Sequence, residues 1–155
     1  MLVSTVTSDR IQSVAQRDHA TRFENRLLRV HGTVLSLGSV TFVAQVLVGR
    51  FEGHGAFRFL RDAPLMSIGF LEAFALATVV GLCLRVAAAA EITWPFNALA
   101  ALTHAILMTV NVTHWGFYRM IDAEFPGVIA TAMHGVLVVV ELAAARRNRA
   151  RLLFH

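Results

Sequence analysis

The sequence predicts an all-α, polytopic membrane protein: a four-transmembrane-helix up-down bundle, N-in and C-in. Three observations carry that reading. Of 155 residues, 56% are hydrophobic and only 15% are Asp, Glu, Lys or Arg, against roughly 25% charged in a soluble domain. The apolar residues are gathered into four stretches, Leu27–Val48, Pro64–Ala90, Pro95–Trp115 and Pro126–Ala145. Within them the formal charges are Arg29, Glu72, Arg85 and Glu141, and about 20 mostly apolar residues suffice to cross a bilayer. Finally, all 14 basic residues are arginine, and they gather at segment ends, where basic residues set orientation.

Taken in order, residues 1–26 are polar and include Asp9, Asp18 and Glu24, unlike the short basic start and apolar run of a cleavable signal. They are expected to stay as a cytoplasmic segment, forming a surface helix on a patchy stripe of Ile11, Val14, Ala15 and Phe23. Residues 27–145 form the transmembrane domain and 146–155 a basic cytoplasmic tail. The apolar runs are twice the length of a membrane strand and show no alternation, so they read as helices. Pro64, Pro95 and Pro126 open segments two, three and four, where the missing N–H costs nothing. The connections Gly49–Ala63, Glu91–Trp94 and Gly116–Phe125 are short, which makes successive spans antiparallel neighbours. Phe51, Phe57, Phe59, Phe117, Tyr118 and Phe125 in the outer loops, with Trp94, Phe96 and Trp115, fit aromatic belts at both interfaces. Gly69, Ala73, Ala77 and Gly81 recur every four residues in segment two, and Gly127, Thr131 and Gly135 in segment four, as small residues that let helices approach.

Arg10, Arg17, Arg22, Arg26 and Arg29 precede or open segment one; Arg85 closes segment two; Arg146, Arg147, Arg149 and Arg151 follow segment four. Arg50, Arg58, Arg61 and Arg119 remain for the other side. This bias puts both termini at the inner face of a cytoplasmic membrane. It also redirects the net charge of +4 from nucleic acid to topology: no nucleic-acid partner is expected. Cys83 is the single cysteine, so an intrachain disulfide and a cysteine metal site are both excluded; it reads as a small packing residue near the inner end of segment two. The extramembrane loops are too short to house a catalytic domain.

An ionisable side chain within a span marks a functional site by default. At 1.5 Å per residue, Glu72 and His134 each lie about 12 Å below the outer surface, and His104, entering from the other side, about 13 Å from the inner one. The three are expected to meet in the bundle interior. Asn97, His104 and Asn111, spaced by seven, share one helical face within about 40°, so Asn111 should complete the pocket, while His114 borders the stripe or faces the interface. A second polar group is expected near the inner surface, where His31 and Glu141 lie about 6–8 Å deep. Glu141 there either pairs with His31 or is solvated beside Arg146, Arg147 or Arg85. The pocket suits a quinone head group or an exchanging proton, because a buried histidine and carboxylate trade protons near neutral pH. Haem b between His104 and His134 is an alternative cofactor, set back by an offset in depth of several ångströms. A metal site of two histidines and Glu72 has fitting ligand types but no local spacing to support it. The structural reading keeps the same polar groups as hydrogen-bonded glue between helices.

The segment Ile68–Val86, IGFLEAFALATVVGLCLRV, resembles the second span of the DoxX-like family of small four-helix membrane proteins. The likeness rests on Glu72, the Gly81-Leu82 step, Arg85 closing the helix and the alanine run Ala87–Ala90. The matched residues run from 68 to 90, about a seventh of the chain, and segment four departs from the family pattern, with His134, Glu141 and terminal arginines in place of its Gly-rich, Ser-Asp ending. The resemblance implies a membrane subunit associated with redox partners, quinone-linked oxidoreductases among them, rather than a self-sufficient enzyme. Only Glu72 and Arg85 transfer as family positions. The expected surroundings are the lipid bilayer and other membrane subunits of a redox-linked complex.

Overall fold

The computed structural model describes residues 3–90 and 92–153, with side chains from residue 23 onward. Its elements are α1 (Val3–Glu52), a 3-10 turn at Arg58–Arg61, α2 (Pro64–Ala87), α3 (Trp94–Thr113), the short α4 (Trp115–Met120) and α5 (Glu124–Leu153). No strand occurs among the described residues. Four helices are long and apolar enough to cross a membrane: Phe23–Glu52 within α1, α2, α3 and α5. Only 17–28% of each is buried within the chain, so most of their apolar surface is left for lipid or another subunit. This is the make-up of a multi-pass membrane protein.

The prolines act as expected in α2 and α3, where Pro64 and Pro95 occupy the first turn. α5 begins two residues before Pro126, which still falls within the first turn. After α1, Gly53 and Gly55 take positive φ of 71° and 74°, a left-handed conformation that costs glycine nothing and ends the helix. Span three stops at Thr113, because His114 leaves the helical region at φ −105°, ψ 30°. Trp115–Met120 then forms a separate turn, closed by Asp122 at φ 54°, which an aspartate tolerates better than most residues.

Two expected boundaries shift. α1 is continuous from Val3, so the N-terminal segment extends the first span as one helix instead of lying apart on the surface; the side chains of Ile11, Val14 and Ala15 lie outside the described residues. α5 likewise runs on through Leu153, past the expected end at Ala145.

Contacts pair the helices into two antiparallel hairpins. In the first, Gly32 of α1 lies against the Gly81 backbone of α2, and the Ser36 hydroxyl donates to the Thr78 carbonyl at 3.4 Å. In the second, α3 faces α5 through Asn97–Glu141 and His104–His134, and the Trp94 N–H donates to the Asn148 side chain at 3.2 Å. At the arginine-rich end the hairpins join around Leu28, Leu84, Ala87, Ala88 and Ala100. Arg151 also clamps the buried Glu24 there with two bonds, at 2.7 and 3.0 Å, the forked geometry that makes arginine–carboxylate pairs strong. At the opposite end Phe42, Phe57, Phe59, Phe70 and Phe74 pack ring against ring, and Phe117 of the second hairpin reaches them at 5.9 Å from Phe59 and 6.3 Å from Phe70. Thus Phe57, Phe59 and Phe117 knit the hairpins together, whereas Phe51 and Phe125, 71% and 76% exposed, keep the belt position.

The small-residue row of segment two does not form one smooth face. A step of four residues advances about 400°, so each gains about 40°. Gly69 and Ala73 are exposed, while Gly81 is buried against α1.

Candidate functional site

Four ionisable side chains and one amide form a continuous hydrogen-bonded string through the interior. Glu141, fully buried on α5, receives the Asn97 amide of α3 on Oε2 at 2.7 Å, and its Oε1 lies 2.6 Å from His31 Nδ1 of α1. His31 Nε2 lies 2.7 Å from His104 Nε2 of α3, and His104 Nδ1 lies 2.8 Å from His134 Nδ1 of α5. Each His–His pair is stacked or tilted, with ring centres 4.8 and 5.0 Å apart. Exposure is 0% for Asn97, 7% for His31 and 3% for His104, whereas His134 at the far end is half-buried.

Helix geometry explains the convergence. Asn97 and His104, seven residues apart on α3, project from one face, as do His134 and Glu141 on α5. The two helices run antiparallel, so His104 meets His134 while Asn97 meets Glu141. His31 enters from α1 and bridges the two levels. The sequence reading had split these residues into a central and an inner group, because it started the first span at Leu27 and ended the fourth at Ala145. The longer helices place His31 eight residues inside the span beginning at Phe23 and Glu141 twelve before Leu153, and the groups merge.

Valence then orders the hydrogens. A carboxylate only accepts, and a neutral imidazole has one N–H and one bare nitrogen. With Glu141 ionised, His31 donates from Nδ1, which leaves its Nε2 to accept from His104 Nε2–H. His104 Nδ1 must in turn accept from His134 Nδ1–H. Every hydrogen in the string points toward Glu141, and His134 Nε2 is left as the open acceptor. A proton arriving at that nitrogen can shift each N–H by one bond. The resulting state has Glu141 protonated, all three imidazoles neutral and every bond reversed. One proton enters and one carboxylate is neutralised, with no ring left charged.

Other expected members of the site lie elsewhere. Glu72 is exposed on α2 and has no hydrogen-bond partner among the described residues. Phe74 and Gly81, which face α1, sit about 160–180° around the helix from it. Since α2 packs along α1 and α5 along α3, Glu72 faces away from His134, and the expected Glu72–His134 pair does not form. Asn111, two turns beyond His104, accepts from the Tyr118 hydroxyl at 2.9 Å instead of lining the pocket; burial pushes the Tyr118 phenol up, which keeps it a donor. Arg85 is exposed with its stem against Gly32, and has no ion pair with Glu141. Glu141, expected to be solvated beside the arginines, is instead sealed between His31 and Asn97. His114 bonds its own helix end at the Val110 carbonyl, 3.1 Å away. Cys83 is exposed rather than packed.

Haem does not fit this arrangement. Two imidazoles on one iron stand about 4 Å apart across it, given metal–nitrogen bonds near 2 Å, whereas the facing nitrogens of His104 and His134 are already bonded at 2.8 Å. Seating a macrocycle between them would separate α3 from α5. Among the described residues no three His, Cys, Asp or Glu side chains are placed to hold a metal ion.

Asn97 was legible as part of a polar face but not as the second partner of Glu141, and the Glu24–Arg151 clamp left no signal, since its members are 127 residues apart. In comparisons with family models, curated proteins and solved structures, the chain matches none.

Proposed function

We propose that the chain is a small subunit of a redox-linked membrane complex that passes protons along His134, His104 and His31 to Glu141. The observation that carries this reading is the unbroken string of three imidazoles ending on a buried carboxylate. A structural network needs no titratable groups at every link, whereas an imidazole and a carboxylate can each both take up and release a proton. His134 is the exchange point, half-exposed with Nε2 outside the string. A quinone-type head group suits that nitrogen chemically, since a quinol hydroxyl donates to a bare imidazole nitrogen. The likeness of Ile68–Val86 to DoxX-like proteins, which implies redox partners, favours the same setting. The arginine distribution supports a cytoplasmic membrane with both termini inside, which would set Glu141 nearer the inner face. The second reading, a purely structural subunit, treats the string as interhelical glue, for which membrane hydrogen bonds contribute on average roughly 0.6 kcal/mol each.

Glu141→Gln separates the two. Glutamine still accepts from His31, and its NH2 can donate to Asn97 Oδ1, which is buried and unpartnered, once that amide turns over. Packing is preserved while the carboxylate that receives the proton is gone. After a jump to acidic pH, infrared difference spectra of the wild-type protein should show a protonated-carboxyl stretch rising as the proton reaches Glu141; Glu141→Gln should remove that band and His104→Phe should slow its rise at least about tenfold, with helix content unchanged. A band absent from the wild type, or one that rises equally fast in His104→Phe, would leave the scaffold reading standing.

A further inference from the structure

With Glu72 excluded from the string, its placement poses a separate question. Leu65, Gly69, Glu72, Leu76, Val79 and Cys83 follow one another by alternating steps of four and three residues. On a helix these positions stay within about 40° of a common line. The line runs down the side of α2 opposite α1, and every residue on it is exposed: Leu65 by 81%, Leu76 by 65% and Val79 by 54%, with Gly69, Glu72 and Cys83 also open. It is a helix-pairing seam without a partner among the described residues. Its one polar member, Glu72, points outward at about 12 Å from the outer surface, at a depth where an acid without a partner is strongly disfavoured.

We propose that α2 pairs with α2 of a second copy along this seam, with the two Glu72 side chains bonded to each other at the crossing. The occupant follows from symmetry and charge. Two copies inserted the same way carry Glu72 at one depth, so a two-fold axis along the membrane normal brings the carboxyls together. A carboxylic acid both donates and accepts, so a protonated carboxyl satisfies its ionised twin without any foreign cation. Gly69, one turn away, removes the side chain that would hold the backbones apart. A single polar residue in an apolar seam also fixes register, which keeps the copies aligned. The inference uses the membrane-spanning character of α2 and is independent of proton transfer through the histidines.

The sole cysteine, Cys83, lies on the seam and serves as the reporter, because a disulfide forms only when two Cα atoms come within about 7 Å. The full-length protein in phosphatidylcholine–phosphatidylglycerol vesicles, at low protein density, is treated with copper–phenanthroline and resolved by mass. The wild type should form covalent dimers through Cys83, and Glu72→Gln, which can still pair with itself, should keep them. Glu72→Leu should lower the yield roughly threefold to tenfold, and Gly69→Ile should remove most of it. These replacements leave the chain's own packing alone, since a side chain at Gly69 meets nothing within 4 Å and Glu72 has no partner. In a Cys83→Ala background, a cysteine at Leu76 should cross-link, whereas one at Ala75, about 100° off the line, should not. The proposal is overturned if Cys83 stays monomeric while a monofunctional maleimide labels it, if Ala75→Cys cross-links as well as Leu76→Cys, or if Gly69→Ile leaves the yield unchanged.

Discussion

Glu141 is the residue on which the interior depends. Both of its oxygens are engaged, one by His31 and one by Asn97, at zero exposure, so its removal orphans a donor on each of two other helices. An unmatched buried polar group costs about 1–3 kcal/mol. Glu141→Leu should therefore lower the midpoint of thermal unfolding in detergent by roughly 3–10 °C, while Glu141→Gln, with acceptor and donor both usable, should lie within a few degrees of wild type. Asn97→Leu should fall between them, since it strips only one bond from the carboxylate. The residue types of this site were visible in the chain, because an ionisable group inside an apolar run stands out. Their pairing was not. Glu72 matched Glu141 in type, and only the rotation of α2 against α1 shows that one carboxylate faces in and the other out.

At the scale of elements, hairpin contacts depend on where small residues fall around each helix. A Cβ at Gly81 would meet the Ser36 hydroxyl, the Gly32 carbonyl at 2.8 Å and the Ser36 nitrogen at 2.8 Å; two of the three are α1 backbone, which cannot swing aside. At Gly135 the nearest neighbour is the Met108 sulfur at 3.5 Å, an ordinary contact with a flexible side chain. Gly81→Ala should thus force α1 and α2 apart and lower thermal stability, whereas Gly135→Ala should be close to neutral; thermal melts of the two variants side by side check the contrast. The sequence treats both glycines alike, as members of rows spaced by four. The starts of α2 and α3 were readable because first-turn prolines are local signals, whereas α1 and α5 run on past the expected ends. What escaped is cumulative: about 40° of drift per four-residue step separates Gly69 from Gly81 by about a third of a turn.

For the whole molecule, two hairpins are held together by polar contacts near the arginine-rich end and by stacked phenylalanines at the other. Between these lies little shared apolar core, and most of each span's surface faces outward. The arginine bias, ten residues against four, predicts both termini on one side of the membrane. A cysteine placed in the tail at Leu153 and one placed in the Gly49–Ala63 loop at Gly55, each in a Cys83→Ala background, should be labelled by a membrane-impermeant maleimide from opposite sides, the tail only after the vesicles are opened to the inner face. Labelling of both from one side would refute the four-span reading; an exchange of the two accessibilities would invert the orientation while leaving the hydrogen-bonded string as described. The proposed proton relay rests on that string, and the positions of its hydrogens test it most directly. In bilayer samples with 15N-labelled histidine, assigned by single substitution, the string with Glu141 ionised predicts N–H at Nδ1 for His31 and His134 and at Nε2 for His104, and the proton-loaded string the reverse set, with nitrogen–nitrogen coupling across both inter-ring bonds in either case. Three uncoupled rings, or a shared Nε2–H form in all of them, would contradict the relay.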